Sequence, residues 1–144
     1  MSPTEVDNFL NGRHTMNIAT NGPTGHPHVV AMWYGFVGHK PAFWTFAKSQ
    51  KIVNLRRDPR ITALVEDGEV YNKLRGVELL GTGRLVTDPQ EAFAIGASVY
   101  ERYNGPLTDE VRPFIEAQLQ KRIAVVIEVE RTVSWDHTKL GGIY

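Results

Sequence analysis

The chain has 144 residues, 42% hydrophobic and 22% charged, with 16 Lys+Arg against 16 Asp+Glu. That size and balance suit one compact domain with a real core and argue against disorder. A formal net charge of +0 speaks against a nucleic-acid binder, and the absence of cysteine excludes a disulfide scaffold, a cysteine nucleophile and a thiolate metal site. Met1 to Leu10 has no apolar run of the signal-peptide kind, and no stretch approaches the ~20 apolar residues of a membrane span, so a cytoplasmic protein without a membrane span is expected.

Ser2-Pro3-Thr4-Glu5 has the form of a capping box with proline at the first helical position, so a short helix carrying Val6, Phe9 and Leu10 is predicted, stopped by Asn11-Gly12. Thr15 to Thr20 alternates as a strand, and Asn21 to Gly25 is a turn cluster. His28 to Val37 is a long apolar and aromatic run, predicted as one largely buried strand. Gly38 to Pro41 turns the chain into Ala42 to Phe46, the clearest hairpin in the sequence. Ile52 and Leu55 share one side of a short helix over Lys48 to Asp58, ended by Asp58-Pro59. Arg60 to Val65 is a strand, Asp67-Gly68 a hairpin turn, and Glu69 to Tyr71 and Gly76 to Val86 continue the β pattern. Asp88-Pro89-Gln90-Glu91 repeats the capping logic and predicts a helix to about Tyr103, followed by another from about Thr108 to Gln120. Ile123 to Val129 reads as a strand buried on both faces, and Trp135 to Tyr144 as irregular. The chain is thus one domain over residues 1–144, mainly β and mostly antiparallel, a closed or nearly closed barrel with helices packed outside.

Chemistry-bearing patterns are few. The serines lie in no G-x-S-x-G turn. His26 and His28 flank Pro27 with a spacing that puts both on one strand face, but no third ligand has a recognisable spacing, so no metal site is expected. Gly81-Thr82-Gly83 lacks the third glycine and following helix of a dinucleotide loop and reads as a bulge or close backbone approach. The informative segment is Phe43 to Lys51, where a strand ends and a helix begins. Unpaired backbone N–H groups, the hydroxyls of Thr45 and Ser49, and the charges of Lys48 and Lys51 compose a phosphate site without a glycine-rich loop. The alternative is that Ser49 is an ordinary N-cap and the lysines a solvated face.

These stretches carry a resemblance. Pro27 to Tyr34, Thr45 with Ser49 to Arg60, Leu74 to Glu78 with Gly81 to Gly83, and Val126 to Asp136 together resemble the pyridoxamine 5′-phosphate oxidase-like split β-barrel family, FMN-binding-protein-like in architecture. Within it they are most similar to the actinobacterial flavin/deazaflavin oxidoreductases that use coenzyme F420, the B group. The resemblance implies a homodimer with cofactor in clefts between two barrels, a small conjugated substrate, and transfer of a hydride from the reduced deazaflavin to an activated double bond. Lys51 and Ser49, with Gln50 beside them, would hold the cofactor phosphate, and Thr45 the tail or ring edge. Val30, Met32 and Trp33 would line the ring or substrate pocket, Arg75 would meet the anionic tail, and Trp135 would close the site from the partner. Tyr34, Tyr71, Lys73 or solvent would supply the proton. Gln50 stands where flavin-binding members carry an arginine, which favours F420 over FMN, the alternative cofactor. The C-terminal R-L-x-P segment that holds pyridoxal phosphate has no counterpart here, against true pyridoxamine phosphate oxidase activity. A non-catalytic F420 carrier and a haem protein using His14 or His137 are the other readings of the same resemblance.

Overall fold

A computed structural model describes residues 1–142. Its elements are α1 (Pro3–Leu10), β1 (Met16–Asn21), β2 (Pro27–Met32), β3 (Gly35–Val37), β4 (Lys40–Phe46), α2 (Gln50–Arg57), β5 (Arg60–Asp67), β6 (Arg75–Leu85), α3 (Pro89–Tyr103), α4 (Arg112–Leu119) and β7 (Arg122–Asp136), with 3₁₀ turns over Tyr71–Lys73 and His137–Leu140. The seven strands form one antiparallel sheet in the order β2-β1-β5-β6-β7-β4-β3, curled into a split barrel. Among the described residues, no helix is long and apolar enough to cross a membrane.

The predicted caps form. Ser2 and Glu5 satisfy each other's backbone N–H in a full capping box, and the Asp88 carboxylate accepts from the Gln90 N–H. Side chains alternating inward from β1, β5, β6 and β7 meet Phe43 of β4, Ile52 and Leu55 of α2, and Phe9 and Leu10 of α1 in the barrel core. A second, smaller cluster under α3 joins Ala42, Val86, Ile95, Ala124 and Val126. Consecutive residues of β7 therefore face different cores, Val125 and Ile127 the barrel and Ala124 and Val126 the helix layer. That accounts for the unbroken apolar run.

Four expectations need correction. The run from His28 to Val37 is two strands at opposite edges of the sheet, and β2 is half-exposed, with Val29 at 62%. The chain leaves the sheet at Trp33-Tyr34. There the fully buried Tyr34 donates its hydroxyl to the Leu10 carbonyl at 2.5 Å. Arg102 holds this crossing together. It donates to the carbonyls of Tyr34, Leu10, Asn11 and Gly12, and its guanidinium lies over the rings of Tyr34, Phe36 and Tyr103. It also sits at the negative end of α1. Secondly, Glu69 to Tyr71 is no strand but leads into the 3₁₀ turn. Thirdly, the helix expected from Thr108 begins only at Arg112. Lastly, β7 runs through Trp135 to Asp136 and the 3₁₀ turn follows, whereas residues 143 and 144 of the expected irregular tail lie outside the described residues.

Gly81 is the bulge the sequence suggested. The β6–β7 register shifts between Leu80 and Gly81, and a Cβ there would lie 2.0 Å from the Glu128 carbonyl oxygen. Backbone cannot step aside as a flexible side chain can. Gly81→Ala is therefore expected to cost about 1–3 kcal/mol, read as a lower denaturant midpoint. An unchanged midpoint would show that the bulge relaxes freely.

Candidate functional site

The strand–helix corner singled out in the sequence folds as a cluster of buried polar side chains at the edge of an apolar barrel core. Alternation along β4 sends Phe43 and Thr45 inward. The chain then turns into α2, with Ser49 as N-cap in extended conformation. Ser49 makes no side-chain cap bond, and its buried Oγ has no hydrogen-bond partner among the described residues. Lys51, in the first turn of α2, points inward. It is 8% exposed, and its Nζ donates to Thr45 Oγ1 at 2.8 Å. It takes part in none of the ion pairs among the described residues. Burial without a counter-charge pushes its pKa below the usual lysine value.

Three residues on from Lys51, on the same helix face, is Asn54, fully buried. Its Nδ2 donates to Thr20 Oγ1 at 3.0 Å on β1, and its Oδ1 accepts from Gln50 Nε2 at 2.7 Å. Gln50 is exposed and spends its amide on Asn54. Lys51 and Asn54 thus join α2 to both halves of the split sheet, one through Thr45 and the other through Thr20. Thr20 is paired across the β1–β2 ladder with His28, whose buried Nδ1 also lacks a partner among the described residues. Thr20, His28 and Asn54 were not singled out for the phosphate corner. Asn54 sits in a helix whose polar residues otherwise read as solvated, and the β1–β2 register that sets His28 beside Thr20 is a long-range fact.

Val30 and Met32 lie on the inward face of β2, half-buried against the barrel core. Trp33 turns to the other side of the molecule, 51% exposed and stacked on Tyr103 with centroids 4.5 Å apart and planes 3° apart. Arg75 and Trp135 stand at the end of the sheet remote from Thr20, because β5 pairs with Thr20 at Ile61 but with Arg75 at Asp67. Arg75 forms an ion pair with Asp67 and lies over the Phe9 ring, 5.3 Å from its centroid. Trp135 covers Gly76 and lines an open sheet-face hollow of ≈ 390 Å³ with Asn17, Ala19, Val29, Thr62, Leu64 and Glu78. Within one chain the structure therefore groups Thr45, Ser49, Gln50 and Lys51, and places Trp33, Arg75 and Trp135 elsewhere.

Among the proton-donor candidates, Tyr34 is enclosed, and burial pushes its pKa up to about 12. Tyr71 and Lys73 are exposed on the 3₁₀ turn, where His137 Nδ1 lies 2.8 Å from the Tyr71 carbonyl oxygen. His14 is stacked on Phe9, with centroids 4.5 Å apart. Among the described residues no group of three or more His, Cys, Asp or Glu converges to hold a metal ion.

The pyridoxamine 5′-phosphate oxidase family matches residues 2–136. The conserved hypothetical protein Rv2991 from Mycobacterium tuberculosis is similar over the whole of this chain and 90% of its own, at 47% identity and a TM-score of 0.95. A solved F420 reductase is 29% identical, with a TM-score of 0.67, over 88% of this chain and 94% of that one. HutZ, a heme storage protein from Vibrio cholerae, shares the fold at 16% identity and a TM-score of 0.71, over 93% of each chain. No curated protein sequence matches significantly. With nearly its whole length matched and its strands arranged as a split barrel, the chain belongs to the pyridoxamine 5′-phosphate oxidase family.

Proposed function

We propose that this chain is an oxidoreductase that binds coenzyme F420 and, as a homodimer, reduces an activated double bond in a small conjugated substrate. The observation that carries the reading is Lys51, a buried ammonium held by one threonine hydroxyl and, among the described residues, no carboxylate. Such a group costs stability unless an anion completes it. The Ser49 hydroxyl, at the N-cap of the same helix and without a partner among the described residues, supplies a further donor of the kind a phosphate oxygen accepts. The similarity to an F420 reductase supports the deazaflavin over other cofactors of the family.

In this reading the bound deazaflavin supplies a hydride from its C5 carbon. The protein's own residues bind and orient. Lys51 and Ser49 hold the phosphate, while Thr45 and Asn54 keep the lysine and α2 in place. Gln50 fixes the Asn54 amide and so acts by positioning rather than by charge. Val30 and Met32 offer apolar surface toward the ring. The second protomer would bring Arg75 and Trp135, which one chain holds away from Lys51, to the open side of the cleft. Closing the two barrels over the planes would exclude water. The product proton would come from Tyr71, Lys73 or solvent, since the enclosed Tyr34 hydroxyl is committed to Leu10.

Tryptophan quenching on titration with oxidised F420 and with FMN tests the cofactor. Tight F420 binding with weak FMN binding, and a dimer by sedimentation, are expected. Preference for FMN would move the protein to the flavin branch. Binding of neither, with a strong blue-edge absorption band on adding haem, would overturn the reading in favour of haem.

A further inference from the structure

The helix layer carries a second concavity that the cofactor reading does not use. Alternation along β4 sends Trp44 and Phe46 outward while Phe43 and Thr45 face the barrel, so the two faces of one strand serve two different places. On the outer face α3 comes close enough to trap Trp44 because residue 96 is glycine. A Cβ there would meet Trp44 Cζ3 at 2.8 Å. Trp44 then lines a groove of ≈ 400 Å³ with Trp33, Tyr100 and Phe114. That volume is in the range of small-molecule sites, roughly 300–1,000 Å³.

Two walls of this groove are large apolar rings left in water, Trp33 at 51% and Phe114 at 54% exposed, with the exposed Phe46 adjoining through Arg122. Exposed rings gathered in a concavity, rather than scattered, mark a binding surface. Arg122 supplies the polar element. Its guanidinium lies 5.1 Å from the Trp44 ring centroid and 4.7 Å from that of Phe46, and its Nε donates to Gln118 Oε1 at 3.0 Å. Arg60, Arg75, Arg84 and Arg112 each have a carboxylate partner, but Arg122 is in none of the ion pairs among the described residues. The other polar lining residues, Asn104 and Gln118, are neutral. The groove is therefore aromatic with one uncompensated cation, whose Nη groups remain to bind an acid.

We propose that this groove is a second ligand site, for a planar conjugated carboxylate whose ring packs against Trp33 and Trp44 and whose carboxylate pairs with Arg122. The guanidinium fork matches a carboxylate, and flat rings favour a flat ligand. A neutral apolar ligand would leave the cation unanswered. A phosphate would have one cation and none of the hydroxyl and lysine partners gathered at Lys51. The site stands apart from the cofactor reading, across β4 from Thr45, and does not depend on it.

The test uses 2-naphthoate and its neutral amide, 2-naphthamide, followed by NMR of the tryptophan indole N–H groups. Trp33 and Trp44 line the groove, and Trp135, which lines the separate sheet-face hollow, is the internal control. Naphthoate is expected to shift the Trp33 and Trp44 signals but not Trp135, and to bind more tightly than the amide. Arg122→Gln should weaken naphthoate binding about tenfold or more and leave the amide unchanged. F420 binding of that variant should be retained, which separates this site from the cofactor cleft. Phe114→Ala, on the exposed wall, should weaken both probes. Equal affinity for acid and amide, shifts at Trp135, or no shift at millimolar probe would each overturn the proposal. So would shifts at Trp33 and Trp44 that follow protein concentration alone, which would assign the groove to a second copy of the chain.

Discussion

Lys51→Met is expected to weaken F420 binding by about 1.5–3 kcal/mol, the worth of a charge-assisted contact, while leaving the cofactor-free protein as stable as before or more so. Methionine keeps a buried apolar stem of similar length and removes an ammonium that, among the described residues, has only Thr45 to answer it. The sign follows from the direction of the pKa shift. A lysine whose folded pKa is depressed carries its full burial cost at low pH. That cost is relieved as pH rises from the folded value toward the unfolded value of about 10.5, because the unfolded chain then holds the extra proton. The wild type should gain stability over that alkaline window and the variant should lack this gain. Anion binding runs the other way. Affinity for F420 should be flat at low pH and fall as pH passes the depressed lysine pKa of the free protein. Thermal melts and binding isotherms across pH check both slopes. A variant that loses stability and keeps its affinity would place the phosphate elsewhere.

The second large effect is structural. Arg102→Met should cost about 3–5 kcal/mol, among the largest values for a single substitution. Its guanidinium answers the carbonyls of Leu10, Asn11, Gly12 and Tyr34 at once, and those groups have α1, α3 and the β2–β3 crossing packed around them. Methionine fills similar space but takes the guanidinium donor from the Asn11, Gly12 and Tyr34 carbonyls and leaves the Leu10 carbonyl with the Tyr34 hydroxyl. For a domain of this size the melting temperature should fall by roughly 10 °C or more. Arg102→Lys should recover little, since an ammonium cannot span the same set of carbonyls or lie flat over three rings. Near-native melting of the lysine variant would mean that charge alone, not the planar fork, secures the crossing.

Much of the architecture is legible in the sequence because local rules govern it. Both predicted caps form, the Gly38-His39 hairpin forms, and the apolar run of β7 signals burial on two faces. What periodicity misses is set by distant partners. Val29 to Val37 is apolar throughout, so nothing local marks Trp33-Tyr34 as a crossing between sheet edges. Tyr34 is fixed by Leu10, and Trp33 by Tyr103 on α3. At the corner between β4 and α2, residue types at a strand–helix junction are enough to group Thr45, Ser49 and Lys51. The same reasoning passes over Asn54, because an asparagine in a short amphipathic helix looks solvated until β1 is seen to bring Thr20 to it. Arg75 and Trp135 are grouped with that corner only by resemblance, and one chain keeps them at the other end of the sheet.

The strand order also governs how the chain is made. β4 has no neighbour on its inner side until β7 exists, and β6 likewise waits for β7 on one edge, yet α2, β5, β6, α3 and α4 are all synthesised between β4 and β7. A nascent chain therefore carries one open apolar ladder from the end of β4 and two from the end of β6 until β7 emerges, each a template for a wrong strand. Pairings this distant in sequence make folding slow for the size of the domain. The insertion of β7 closes both edges together, so truncation before Arg122 should yield an aggregating fragment rather than a smaller barrel.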